Sequence, residues 1–310
     1  MSENMTEKKL ISILAGADVS IVGMKFKNHI VKKMYSDEFL KLVNYIKWDF
    51  NKIQDRVLDY GVCLVPTFQQ QSDGSCIRKG SEIIFIETDL MQCNSLPWEF
   101  VDLLKLYKSE DIYCADWFGY QISESGKMFG AGIGHTNANM HDPYPIPKEY
   151  ALSLQELSEF NKWYEMHNDI LNTADCSEQW KKALRFYQRA MLTSDISVQY
   201  VLLTIILEVV FCGDRNQLSY QIARGASLLL SQNIEEMAKL NKSIKDLYNK
   251  RSKFVHEGTS ISISDMKELR EYCRRILLKV YEKGFHKNED FTKLQRILLV
   301  SGYESLHNLR

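Results

Sequence analysis

Arg251 and His256 stand five residues apart in LYNKRSKFVHEG, Leu247 to Gly258, at the end of a strongly helical stretch. Arginine offers a fixed cation whose planar fork of donors matches phosphate oxygens. Histidine titrates near neutral pH, and at a helix C-terminus the negative end of the dipole favours its imidazolium form. Such a pair can hold a scissile phosphate and move a proton, which is what phosphodiester cleavage without a metal requires. Five residues of helix turn the two side chains about 140° apart. Convergence therefore needs Arg251 to extend towards the C-terminus and the last turn to loosen before Gly258. The plainer alternative is that Arg251 pairs with a surface carboxylate and His256 caps the helix.

Residues around the pair sharpen both readings. Glu208 lies inside the apolar run VLLTIILEVVF, Val201 to Phe211, and a carboxylate buried there needs a partner. Arg224 in the next apolar helix is the natural candidate, giving an interhelix salt bridge. Arg251 is the other, and Glu208 would then orient it; in either buried pair, removing Glu208 would cost several kcal/mol. Tyr248, one turn before Arg251, packs against the core or offers its hydroxyl to RNA. Ser252 is solvated or helps bind phosphate. Lys242, Lys245, Lys250, Arg251 and Lys253 make a positive surface beside the motif, either a solvated face or a grip for RNA. The stretch GAGIGHTNANMH, Gly130 to His141, has the glycines of a phosphate loop but lacks the Lys-Ser/Thr that follows one. His135 and His141 lack the spacing of a helical metal pair, so neither a metal nor a cofactor is expected. Trp48, Trp98 and Trp117 read as core or interface aromatics.

The elements that must position these residues divide near residue 150. Before it the chain reads as α+β. Asp37–Asp59 and Trp98–Lys108, with Pro97 in its first turn, have helical spacing. Gly61–Phe68, Glu82–Thr88, Ile112–Ile122 and Lys127–Ile133 read as strands. The breaker-rich segment ending at Pro147 marks the boundary. Beyond it everything reads as helix: Ser153–Leu171, Ser177–Leu192, Ser197–Phe211, Ser219–Leu230, Ile234–Val255, Ser264–Lys283 and Asp290–Val300. Ser153 with Glu156, and Ser264, offer N-cap chemistry; Gly213, Gly258 and Gly284 follow helix ends. The expected architecture is an α+β N-terminal domain, residues 1–150, followed by an all-α helical bundle, residues 151–310.

Composition narrows the classes. A chain of 310 residues with 45% hydrophobic and 25% charged residues is long enough for two cores. The run Val201–Phe211 is too short to span a bilayer, and MSENMTEKKL has no apolar signal core, so the expected location is cytoplasmic. Seven cysteines, with no CxxC pair, suit reduced thiols. The net charge of −1 hides an asymmetry: residues 1–150 carry 16 Lys/Arg against 20 Asp/Glu, and residues 151–310 carry 23 against 20. Any RNA binding must therefore rest on a local basic patch.

Over about residues 175–285 the chain resembles the HEPN superfamily and, within it, the Apea-like branch. That superfamily is built on a helical bundle whose signature is Arg, four to six residues, then His. LYNKRSKFVHEG resembles the branch's Tyr, Arg-Ser, hydrophobic pair, His and Gly. TIILEVVF resembles its apolar helix with a Leu-Glu pair, YQIARGASLLL its helix with an Ala-Arg pair before a leucine run, and WKKALRFYQRA its first bundle helix. One departure is Glu257, which stands between His256 and Gly258 and places a carboxylate beside the imidazole. The resemblance implies a metal-independent endoribonuclease of anti-phage defence or abortive infection, with Arg251 and His256 catalytic. Attack of the ribose 2′-hydroxyl on the adjacent phosphate would leave a 2′,3′-cyclic phosphate. Glu208, Arg224, Tyr248, Lys250, Ser252 and Lys253 would then bind RNA or support the pair. A homodimer with two such pairs facing one groove is implied. The resemblance does not extend to residues 1–150; their acidic balance, 20 Asp/Glu against 16 Lys/Arg, and their lack of recognisable chemistry suit recognition of a regulatory or phage-derived protein partner. The alternative within the same family is a non-catalytic module that dimerises or holds RNA.

Overall fold

The computed structural model describes residues 4–46, 82–91, 96–135, 150–193, 195–213 and 217–300. The chain divides into two compact units, Met1–Trp163 and Tyr164–Arg310. Among the described residues every strand lies in the first unit, and from residue 154 onward the regular elements are helices. An antiparallel sheet region followed by a helical region is thus the observed order.

The first unit is built on a six-stranded sheet. Its strands are β1 (Met5–Ala15), β2 (Lys25–Phe26), β3 (His29–Tyr35), β4 (Glu82–Asp89), β5 (Tyr113–Ser123) and β6 (Met128–His135), in the order β2-β3-β4-β1-β5-β6 with antiparallel pairing throughout. Helix α1 (Ser36–Tyr45) covers the sheet, and Phe39 joins Ile11, Ile13, Ile83, Phe85, Phe118 and Tyr120 in one core. Ile84 and Ile86, of opposite parity on β4, are buried as well. A strand covered on both faces reads as a continuous apolar run rather than an alternation. The sequence marks β4 by such a run, whereas β1 is polar in its first half and apolar only in its second, and β1, β2 and β3 go unmarked. The expected strand Gly61–Phe68, the second half of helix 37–59, Trp48 and His141 lie outside the described residues.

Helix α2 (Pro97–Tyr107) opens with Pro97, whose fixed φ suits a first turn. It reaches the sheet edge through a stack in which Phe100 lies 5.0 Å from Phe26 and 6.1 Å from His29. Gly16 ends β1 at φ +80°, and a Cβ there would sit 2.5 Å from the carbonyl oxygen of Asp111, so glycine is required. His29 is 2% exposed and its Nδ1 lies 2.7 Å from the Thr88 hydroxyl. Burial, with Lys27 nearby, lowers its pKa from 6.5 to about 4. The unfolded chain therefore takes up a proton that the folded unit refuses. Stability is intact above about pH 7, falls as pH drops through 6.5, and loses on the order of 3 kcal/mol by pH 4. His29→Phe should flatten the pH dependence of the melting temperature in that window; an unchanged slope would show that His29 is solvated.

Helix α3 (Leu154–His167) is capped reciprocally by Ser153 and Glu156, at 2.7 and 3.2 Å. The division between the units falls inside this helix. Six helices follow: α4 (Glu178–Ala190), α5 (Ile196–Phe211), α6 (Leu218–Leu230), α7 (Ile234–Glu257), α8 (Ile263–Glu282) and α9 (Asn288–Val300). Helix α5 touches the other five, which explains a sequence apolar nearly all round. Its last turn closes on α6, where Gly225 meets the Phe211 ring so tightly that a Cβ would fall 2.6 Å from it. Ser262, not Ser264, caps α8 through the Asp265 N–H at 3.1 Å. His167, 1% exposed, bonds Glu282 at 3.3 Å and closes the end of α3 onto α8. Of the described cysteines, Cys114, Cys176 and Cys273 are buried thiols. Burial pushes Cys114 up to about 12, so it is no nucleophile. No described helix is long and apolar enough to cross a membrane.

Candidate functional site at the end of helix α7

The phase of α7 decides where the candidate residues point. Asn233 starts the helix by accepting the Glu236 N–H at 2.8 Å. Leu240, Ile244, Leu247 and Tyr248 are its buried positions, spaced to pack one face. Arg251 is the next residue on that row and is half-buried. Ser252, Lys253 and His256 fall on exposed positions. Gly258 ends the helix at φ +69°, its N–H donating to the Phe254 carbonyl at 3.1 Å, an αL stop that a side chain would strain.

Arg251 turns towards α5. Its Nη2 lies 3.9 Å from Glu208 Oε1, the outer limit of an ion pair, and its Nε is buried without a hydrogen-bond partner. The same carboxylate oxygen accepts the Tyr248 hydroxyl at 2.8 Å. Burial first, and then that hydrogen bond, raises the Tyr248 phenol well above its ordinary range, so it serves as a donor. Glu208 is thus the hub of a small cluster that holds Tyr248 tightly and Arg251 loosely. The expectation of a Glu208–Arg224 bridge is corrected: Arg224 donates to the Leu298 carbonyl. The expectation of a deeply buried Glu208 is corrected too, since its side chain is 26% exposed. Its helix is apolar all round, and the outward side of that helix hides this from the sequence.

The remaining candidates separate. Lys250 is taken by Asp265, 2.6 Å away, and holds that carboxyl below its usual range. The sequence offers Lys250 to RNA but gives no sign of Asp265, whose position follows from the Ser262 cap. Ser252, Lys253 and His256 are exposed and make no hydrogen bond or ion pair among the described residues. The structure therefore brings Glu208, Tyr248 and Arg251 together and leaves His256 on the solvent side of the same helix end. Among the described residues, no group of three or more His, Cys, Asp or Glu is placed to hold a metal ion.

The cluster makes a stability prediction smaller than a buried pair would. Glu208→Ala removes one charge-assisted hydrogen bond and a long ion pair, both partly solvated, and should cost about 1–2 kcal/mol. Glu208→Gln, which can still accept from Tyr248, should retain about half of that. Urea unfolding checks it. A loss above about 4 kcal/mol would mean that Arg251 is left as a stranded buried charge.

Neither a family model, nor a curated protein, nor a solved structure matches this chain.

Proposed function

We propose that the helical unit is a HEPN-type endoribonuclease that cuts RNA without a metal, acting in the cytoplasm in anti-phage defence or abortive infection. The observation that carries this reading is the end of α7, where an exposed imidazole and a guanidinium with no hydrogen bond of its own share the last two turns of one helix. Arg251 keeps its donors for phosphate oxygens and is steadied by Glu208 at 3.9 Å. His256 is exposed at the helix end and open to a ligand.

Within one chain the pair points to different sides of the helix. Two copies related by a two-fold axis resolve this, because one groove then receives two arginines and two histidines. An apolar stripe on the outward side of α5 supports such pairing: Val198, Val201, Leu202, Ile205 and Val209 stay partly exposed and lead to Glu208. In the proposed reaction one His256 takes the proton of the ribose 2′-hydroxyl as that oxygen bonds to phosphorus. The bond from phosphorus to the 5′-oxygen breaks, and the second, protonated His256 supplies the leaving oxygen with its proton. Arg251 stabilises the charge that grows on the non-bridging oxygens. DNA lacks the attacking group and is not cut.

The test is cleavage of single-stranded RNA by the purified protein with EDTA present, leaving 2′,3′-cyclic phosphate and 5′-hydroxyl ends. A need for a divalent metal, or ends of the opposite type, would sink the mechanism. One observation favours a second reading, a dimerising or RNA-holding module without catalysis. His256 has no hydrogen-bond partner among the described residues to fix its tautomer, and Glu257 follows it directly. On that reading the protein binds RNA, and the RNA stays whole.

A further inference from the structure

The cations of the helical unit fall into two kinds. Lys181, Lys239, Lys250, Arg274 and Lys279 are each within 2.6–2.9 Å of a carboxylate. Lys182, Arg185 and Arg189 on α4, and Lys293 and Arg296 on α9, are exposed and make no hydrogen bond or ion pair among the described residues. The three on α4 are spaced i, i+3 and i+7, which puts them on one face over about 10 Å. Phe186, half-buried, sits among them.

Two features join the helices into one surface. The first turns of α4 and α9 lie side by side, through a bridge between Cys176 and Lys287 and a bond from the Ser177 N–H to the His286 carbonyl at 3.0 Å. The helices also pack on each other. Counted from those starts, Lys182 and Lys293 lie in the second turn, and Arg185 and Arg296 in the third. Acid is missing here: the sequence has no Asp or Glu from Gln179 to Thr193, or from Phe291 to Tyr303. Glu178, at the start of α4, is occupied by Lys181 at 2.9 Å. In a chain of net charge −1, this is a segregated positive field.

We propose that the exposed cations of α4 and α9 form a surface that grips the phosphate backbone of single-stranded RNA, distinct from Arg251 and His256. The proposal deepens the ribonuclease reading and rests on it for the choice of RNA. Unspent lysines and arginines without base-reading groups suit a phosphate track, and a half-exposed aromatic among them suits stacking on an unpaired base. A lipid surface fits less well. The apolar face of α4, Trp180, Ala183, Leu184, Tyr187 and Ala190, is buried in the unit and has nothing left to insert.

The full chain is titrated with a 2′-O-methylated single-stranded oligonucleotide, which lacks the attacking hydroxyl, at several salt concentrations. Lys182→Gln/Arg185→Gln/Arg189→Gln should weaken binding at least about tenfold and lower the salt slope by about two, at roughly 0.7 per cation. Lys293→Gln/Arg296→Gln is a second, independent variant with the same direction. Lys239→Gln, whose charge is already spent on Glu235, should change nothing. Circular dichroism and melting confirm the fold of each variant. Unchanged affinity and slope in both multiple variants would overturn the surface. So would absence of oligonucleotide binding by the unmodified protein, or a charge-dependent loss seen only with poly-glutamate or with phosphatidylserine vesicles. Binding that depends on α4 without any RNA cleavage would remove the catalytic reading and leave this one standing. Cleavage that depends on His256 but is indifferent to the α4 charges would do the reverse.

Discussion

His256→Ala is expected to slow RNA cleavage at least about a hundredfold while leaving the fold intact. General acid–base catalysis by a positioned side chain supplies about 10²–10⁴ in rate, and no other described imidazole stands at this helix end. His29 and His167 are buried elsewhere. Because His256 is exposed and unbonded, its removal should leave stability within about 0.5 kcal/mol, so lost activity would report chemistry and not unfolding. Arg251→Ala should cost about 10²–10³, the usual effect of deleting one donor to a developing oxyanion. Arg251→Lys should recover only part of it, because an ammonium keeps the charge but not the fork. The two losses should not add, since both residues act on one transition state. Single-turnover cleavage in EDTA, with melting curves alongside, measures all of this. Cleavage that survives both substitutions would refute the assignment, whatever the fold.

Trp180→Ala should produce the largest stability loss, about 3–5 kcal/mol. Trp180 is 0% exposed and is one of the largest fully buried side chains. Its backbone N–H donates to the Ser177 hydroxyl at 3.1 Å, a cap of α4 that the substitution leaves in place. Its ring lies 6.4 Å from that of Tyr281 and 5.9 Å from that of His286, so it fastens the start of α4 to the end of α8 and the loop after it. For a unit of this size the melting temperature should fall by roughly 10 °C. Arg189→Ala, on the exposed face of the same helix, should shift it by less than about 2 °C. Calorimetry or urea unfolding of the full chain separates the two. A Trp180 variant that melts with the unmodified protein would mean that the ring does not fill the core of this unit.

The local pattern determined much of this molecule. Helical period, the Ser153 cap and the Gly258 and Gly284 stops marked the helices after residue 150, because amphipathic spacing and end chemistry are written in adjacent residues. Glu82–Thr88 and the pair β5–β6 were legible as short β-branched and aromatic runs bounded by turn residues. Strands β1 to β3 were not. β1 lies between β4 and β5, and β3 pairs with β4, partners distant in sequence, while β2 is a two-residue edge strand. The sequence singled out Arg251, His256, Glu208 and Tyr248 as types able to do chemistry. Only the packing of α5 on α7 decided that Glu208 goes to Tyr248 and Arg251 instead of Arg224, and that His256 faces solvent. The charges divide in the same way. Composition counts a lysine at 182 and another at 250 alike, but Lys250 is spent on Asp265 and Lys182 is not. Which charge meets which depends on how helices are brought together across tens of residues, and one-dimensional spacing carries no record of that.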